Sequence, residues 1–180
     1  MQYPEAATSI FAVVDLQEKL VTAMADPEGV LARAKVLVEG ANALSIPLVV
    51  TEQYPKGLGN TVAPLKELFP EGTPILEKSS FSCWAEEGFR NAVGQKRTLV
   101  LFGVESHVCV LQTALDAVYA GHEVIVISDA VSSRRESDKE QALALFRENG
   151  IKVMSSEMLL FLYMRDSKHP AFKSISKIIR

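Results

Sequence analysis

The chain has 180 residues, 48% of them hydrophobic and 23% charged, with a formal net charge of -3. This length suits one domain with a sizeable core, and the composition lies far from the low-hydrophobicity, high-charge corner where chains stay disordered. Scattered Lys and Arg on an acidic balance give no electrostatic footprint for nucleic acid, and no apolar run nears the ~18 residues of a membrane span.

Short β-branched runs alternate with longer amphipathic stretches. Residues 10–14 (IFAVV) read as a strand. Asp26-Pro27 reads as an N-cap followed by proline at the first helical position. The helix it opens is expected to reach about Leu44, burying Val30, Ala34, Leu37, Val38 and Ala41. Residues 47–51 (PLVVT) are a second strand. QYPKGLGN at 53–60, with one proline and two glycines, is a loop. A short helix over 61–69, a weaker third strand at 74–78 (PILEK) and a helix over 85–93 follow. Residues 98–102 are a strand, and 108–120 a helix closed by Gly121. Residues 123–128 (EVIVIS) are a strand, and 136–148 a helix stopped by Asn149-Gly150. A short strand at 152–155 leads into a helix to about Met164. In the tail, Phe172, Ile175, Ile178 and Ile179 have helical spacing, a stripe expected to dock on its own domain or on a partner subunit.

Continuously apolar strands alternating with helices imply a parallel sheet covered on both faces, a doubly wound α/β domain. Chemistry in such sheets lies at the carboxyl ends of the strands. Asp15, Thr51, Lys78, the Gly103 turn and Asp129 are read as the ends of the first five. Cys109 follows that turn. At the start of a helix the amide dipoles favour a thiolate, and a nearby Lys pushes the same way. Taken alone, Cys109 reads sooner as a core filler than as a nucleophile. An acid, a cation and a thiol converging on one crevice are the parts of an activated nucleophile. His122 precedes a strand at the opposite sheet edge, His169 lies in the tail and His107 is expected to point outward. Asp15 is left to serve as the base.

The two cysteines, Cys83 and Cys109, fit neither a disulfide framework nor a four-ligand zinc pattern. A reducing cytoplasm is therefore expected. The opening MQYPEAATSIFAVVDLQ has no basic region, and Asp15 breaks its apolar run, so no secretory signal is read. Arg134-Arg135 reads as a solvated loop. Cys83 reads as structural rather than as a resolving thiol.

VVDLQ, EKSSFS, GVESHVCVLQTALDA and SDAVSSR, in this order and spacing, resemble the isochorismatase-like cysteine hydrolase superfamily over nearly the whole chain. TEQYPKGLG and HPAFKSISKIIR resemble the subgroup of isochorismatase domain-containing proteins. The resemblance implies a three-layer α/β/α sandwich with a six-stranded, mostly parallel sheet. It implies one domain over 1–180, with 165–180 as a tail, and a catalytic triad of Asp15, Lys78 and Cys109. It also implies a cis peptide between Val104 and Glu105 that aims the Glu105 N–H, with that of Cys109, at an oxyanion. The implied reaction is attack of Cys109 on a small amide or ester, then hydrolysis of the thioester. Nicotinamidases of the superfamily carry an Asp-x-His pair and a further His as metal ligands. TEQYPKGLG holds no His, so neither a metal nor another cofactor is expected.

Gln17, Gln53, Tyr54, Phe81 and Trp84 are candidates to contact a small-molecule substrate. Each has a plainer role open to it: a cap for Gln17, exposed loop for Gln53 and Tyr54, core packing for Phe81 and Trp84. Asp129 and Ser132-Ser133-Arg134 are expected to brace the crevice or a subunit contact, in a homo-oligomer. Two other functions stay open: a catalytically weak binding or scaffold protein of the same fold, and a cysteine-independent vinyl-ether hydrolase of the isochorismate type. A redox protein using Cys109 is a weaker third.

Overall fold

The central strands of this protein are apolar on both sides, and the computed structural model, which describes residues 3–96 and 98–180, shows why. Six strands form one parallel sheet: β1 (Ser9–Val14), β2 (Leu48–Gln53), β3 (Ile75–Lys78), β4 (Thr98–Val104), β5 (Glu123–Ser132) and β6 (Lys152–Met154). The helices longer than one turn are α1 (Pro27–Ala43), α2 (Glu87–Val93), α3 (Leu111–Tyr119), α4 (Glu136–Glu148), α5 (Ser156–Met164) and α6 (Phe172–Ile178). Phe11, Val13, Val50, Val100 and Phe102 face the layer of α1 and α5, where Ala34, Leu37, Val38 and Leu159 are buried. Their neighbours Ile10, Ala12, Val14, Val49, Leu99 and Leu101 face α2, α3 and α4, with Phe89, Ala114 and Phe146. Each large side chain buried between these layers is worth roughly 1.5–3 kcal/mol.

The strand order is β3-β2-β1-β4-β5-β6. The chain winds outward from β1 to β3, then returns to the other side of β1 and winds outward again. β1 and β4 therefore flank the switch point, where the crevice of such a sheet opens. α1 begins as its sequence requires: Asp26 accepts from Gly29 N at 2.8 Å, Pro27 takes the first position, and Val30, Ala34, Leu37, Val38 and Ala41 are buried. The tail helix α6 sets Ala171 and Ile175 into a small core with Leu160 and Met164. The expected 1–180 domain also includes Met1, Gln2 and Arg97, which lie outside the described residues.

Several boundaries differ from expectation. β2 runs on through Glu52 and Gln53, because Glu77 and Lys78 of β3 supply register partners for both. β5 runs to Ser132, because Gly103 and Val104 extend β4 and pair with Val131 and Ser132. Asp129 is thus inside β5, not at its end. It lies in an irregular stretch where Leu101 pairs with Val126 but Gly103 with Val131. Its carboxylate accepts from Ser156 N at 2.8 Å and Ser156 Oγ at 2.7 Å, so it anchors the start of α5 and braces no part of the crevice. The 53–60 loop contains a helical turn, Pro55–Leu58, and the expected 61–69 helix shrinks to Ala63–Lys66. The 85–93 helix is split between a 3-10 turn, Cys83–Ala85, and α2. The helix expected over 108–120 begins earlier, as a π-helical turn over Ser106–Val110 that passes into α3.

Candidate active site

Asp15 follows β1 with a φ of 51°, in the left-handed region that Asp tolerates better than most residues, and is fully buried. Across the switch, Gly103 has a φ of 125°, and a Cβ there would meet Val14 O at 2.0 Å. Only glycine lets β1 and β4 close up at this point.

Lys78 ends β3, two strands from Asp15, and its side chain reaches over β2. Its Nζ lies 2.7 Å from Asp15 Oδ2, with both side chains at 0% exposure. The ammonium also donates to Gln53 Oε1 at 2.6 Å and to the carbonyls of Ser80 and Phe81, each at 3.2 Å. Thr51 Oγ1 donates to the other oxygen of Asp15 at 2.7 Å. Burial acts to lower the Lys78 pKa, but Asp15, with smaller contributions from Cys83 and Cys109, outweighs it and leaves the pKa raised. Lys78 is a fixed cation here, not a proton shuttle.

Cys109 sits in the Ser106–Val110 turn at 7% exposure. Burial first, and the negative charge of Asp15 second, push its thiol up to about 12, although Lys78 pulls the other way. Desolvation and the neighbouring carboxylate thus act against the thiolate expected from the helix start and the lysine. The Val104–Glu105 peptide is cis. The Glu105 N–H donates to no protein acceptor among the described residues. The Glu105 carboxylate accepts from Arg134 N at 3.2 Å and Nε at 3.0 Å, clipping the turn to the end of β5. His107 points away from the thiol, to Ser133 Oγ at 2.9 Å. Ser106 Oγ is buried without a hydrogen-bond partner.

Cys83 is the residue that sequence reasoning underplayed. It is fully buried, with its sulfur 3.5 Å from Thr51 Oγ1. Its N–H donates to Thr113 Oγ1 at 2.9 Å, and that hydroxyl donates to the Cys109 carbonyl at 2.7 Å. One hydroxyl thus ties the two cysteine segments together. Burial pushes the Cys83 thiol up to about 11. Its spacing from Lys78 was the available signal.

The five substrate candidates do not stay together. A cavity of about 350 Å³ opens beside Lys78, lined by Tyr54, Pro55, Lys56, Glu77, Ser79 and Glu86 as well. Tyr54 belongs to it; Cys109 is not on its wall. Gln17 is fully buried, and its amide is used up on backbone: it donates to Gln53 O and Gly59 O and accepts from Gln53 N. It ties down the 53–60 loop and is not on the wall of this cavity. Gln53 binds Lys78 and Ser79 O, so it shapes the site through the lysine. Phe81 is 55% exposed and off the cavity wall. Trp84 packs edge-on against Phe89 and His122, toward the opposite sheet edge, so it forms no aromatic wall. Among the described residues, no three His, Cys, Asp or Glu side chains are grouped to hold a metal ion. No helix among them is long and apolar enough to cross a membrane.

The isochorismatase domain, as a family, matches residues 9–158 of this chain. Isochorismatase domain-containing protein 1 of Danio rerio is 40% identical over 178 residues, covering 97% of this chain; the chain spans 62% of that relative's length. The solved structure of the MAR1 ribonuclease from Caenorhabditis elegans is 38% identical, with a TM-score of 0.95 over 99% of this chain and 92% of that one. The Escherichia coli YcaC gene product, described as an octameric hydrolase of unknown specificity, shares the fold. Its TM-score is 0.92 at 24% identity, over 98% of this chain and 90% of that one.

Proposed function

We propose that this chain, which belongs to the isochorismatase family, is a metal-independent cysteine hydrolase that cleaves a small amide or ester through a thioester at Cys109. The observation that carries this reading is the fully buried Lys78–Asp15 pair, 2.7 Å apart, set against a buried thiol. A buried ion pair is weak evidence for stability, since desolvation offsets much of its attraction. Placed at the carboxyl edge of the sheet beside a nucleophile, it points to chemistry.

The thiol rests protonated. As its sulfur attacks the carbonyl carbon, Asp15 accepts the proton and Lys78 balances the charge moving between sulfur and carboxylate. The oxyanion accepts from the N–H groups of Glu105 and Cys109, a contribution worth about 2.7–4 kcal/mol per donor. Collapse breaks the bond to the amine or alcohol, which leaves with the proton from Asp15. Water then attacks the thioester, gives its proton to Asp15 and frees the acid, and the thiol regains its hydrogen.

A panel of small esters and amides tests this, with intact and peptide mass spectra reading the acyl adduct. The expected result is an adduct on Cys109 and no turnover by Cys109→Ser. Turnover that survives Cys109→Ser, with no adduct, contradicts it and favours cysteine-independent hydrolysis. The nematode relative described as a ribonuclease supplies a second reading, RNA as the substrate. Cleavage of RNA at equal rates by wild type and Cys109→Ser would put that reading first. Self-association and a cytoplasmic setting belong to the same proposal; light scattering checks the first and fractionation the second.

A further inference from the structure

We infer that Thr51 is a positioning residue of this site, its hydroxyl holding the Asp15 carboxylate in the orientation from which it takes the Cys109 proton. This role rests on the reading of Asp15 as the base to Cys109. β2 lies between β1 and β3 in the sheet, directly under the span of the ion pair. Thr51 and Gln53 are two residues apart, so both side chains stand on the same face of β2. That face also carries Val49 and, from neighbouring segments, Cys83 and Cys109. One strand thus supplies the holder of each charge: Thr51 for Asp15 and Gln53 for Lys78.

Thr51 is 1% exposed and follows Leu48, Val49 and Val50. Valine has nearly the same shape, suits a strand equally well and carries no hydroxyl to desolvate. The hydroxyl's direction is forced. An ionised carboxylate only accepts, so Thr51 must donate to Asp15 Oδ1 at 2.7 Å. With that hydrogen spent, the 3.5 Å contact to Cys83 must have the S–H as donor. The chain Cys83 to Thr51 to Asp15 runs one way and ends on the carboxylate. Lys78 takes the other oxygen. Both fixed contacts come from the β2–β3 side, while Cys109 arrives from beyond β4, the other neighbour of β1. The charged and titratable groups facing the carboxylate are Lys78, Cys83 and Cys109.

The test is acetylation of Cys109 by p-nitrophenyl acetate across pH, read by peptide mass. The sulfur–acetyl bond forms, the ester C–O bond breaks, and nitrophenol leaves with the thiol proton. Losing a donor to a carboxylate makes it hold a proton to higher pH. Thr51→Val and Thr51→Ala are therefore expected to move the acid limb of the rate profile up by about one pH unit. Below the limb that is about tenfold slower labelling; above it the rates approach wild type. Thr51→Ser keeps the hydroxyl and is expected to keep the wild-type limb. If one hydroxyl-less variant does not fold, the other is read. A limb that stays in place, or a loss equal at every pH and shared by Thr51→Ser, overturns the positioning role and leaves Asp15 as base untouched. No acetyl group on Cys109 in wild type defeats the reading beneath it, and this role with it.

Discussion

The two halves of the sheet's carboxyl edge hold their side chains by different means. On the β1–β3 side the charges are paired, fully buried and crowded with fixed partners: Lys78 alone has four acceptors within 3.2 Å. On the β4–β5 side a buried thiol sits in a turn, and one contact anchoring that turn reaches solvent. Arg134, which clips Glu105, has a side chain 64% exposed. On the proposed reading this is a division of labour: charge is built in where it can be shielded, and the nucleophile stays neutral until that charge is used on it.

The strongest way to break this arrangement is at the seam. Gly103→Ala places a Cβ at 2.0 Å from Val14 O with φ at 125°. It is expected to cost about 4 kcal/mol or more, or to leave no soluble protein, as urea denaturation will show. Next comes the buried pair. Asp15→Asn or Lys78→Met leaves one buried charge unpaired and is expected to cost about 3–5 kcal/mol. Cys109→Ala is expected to cost less than either in the same assay; equal costs would erase the distinction between the halves.

Alkali should reveal the neutral side. Cys83 and Cys109 titrate at about 11 and about 12 in the folded protein, up from 9.0. Above pH 9 the unfolded chain therefore loses these protons first. The stability they contribute is intact below that pH and declines as pH climbs toward 12, by at most ~1.4 kcal/mol per unit for each thiol. Lys78, also raised, adds to the fall above 10.5. Melting temperatures across this range, with Cys83→Ala showing a shallower decline, check it. The smallest effect is expected from Arg134→Ala, whose exposed pair with Glu105 is worth about 0.2–1 kcal/mol.

What could be read in advance follows the same division. Local rules sufficed for α1, since Asp26-Pro27 and the Val30-to-Ala41 stripe are near-neighbour chemistry. They also sufficed for two of the strand ends, because a charge closing an apolar run has few places to go; hence Asp15 and Lys78. Side-chain direction was beyond such rules. Trp84 turns to His122, and Gln17 closes on the backbone of a loop some forty residues away. Strand lengths were underestimated where the partner strand, not the strand itself, sets the end, as at Gln53 and Ser132. The state of Cys109 was out of reach for a related reason. The helix start and the lysine are visible in sequence, but the depth of burial and the nearness of the Asp15 charge are tertiary facts.

The rate of Cys109 alkylation by iodoacetamide against pH, with peptide mass as readout, bears most directly on a nucleophile kept neutral beside fixed charge. In wild type the rate should still be rising at roughly pH 10, with no thiolate midpoint below it. In Asp15→Asn, where Lys78 alone acts on the sulfur, the midpoint should fall below that pH. A wild-type plateau with its midpoint at or below the ~8.5 of a free thiol, unmoved in Asp15→Asn, would contradict it.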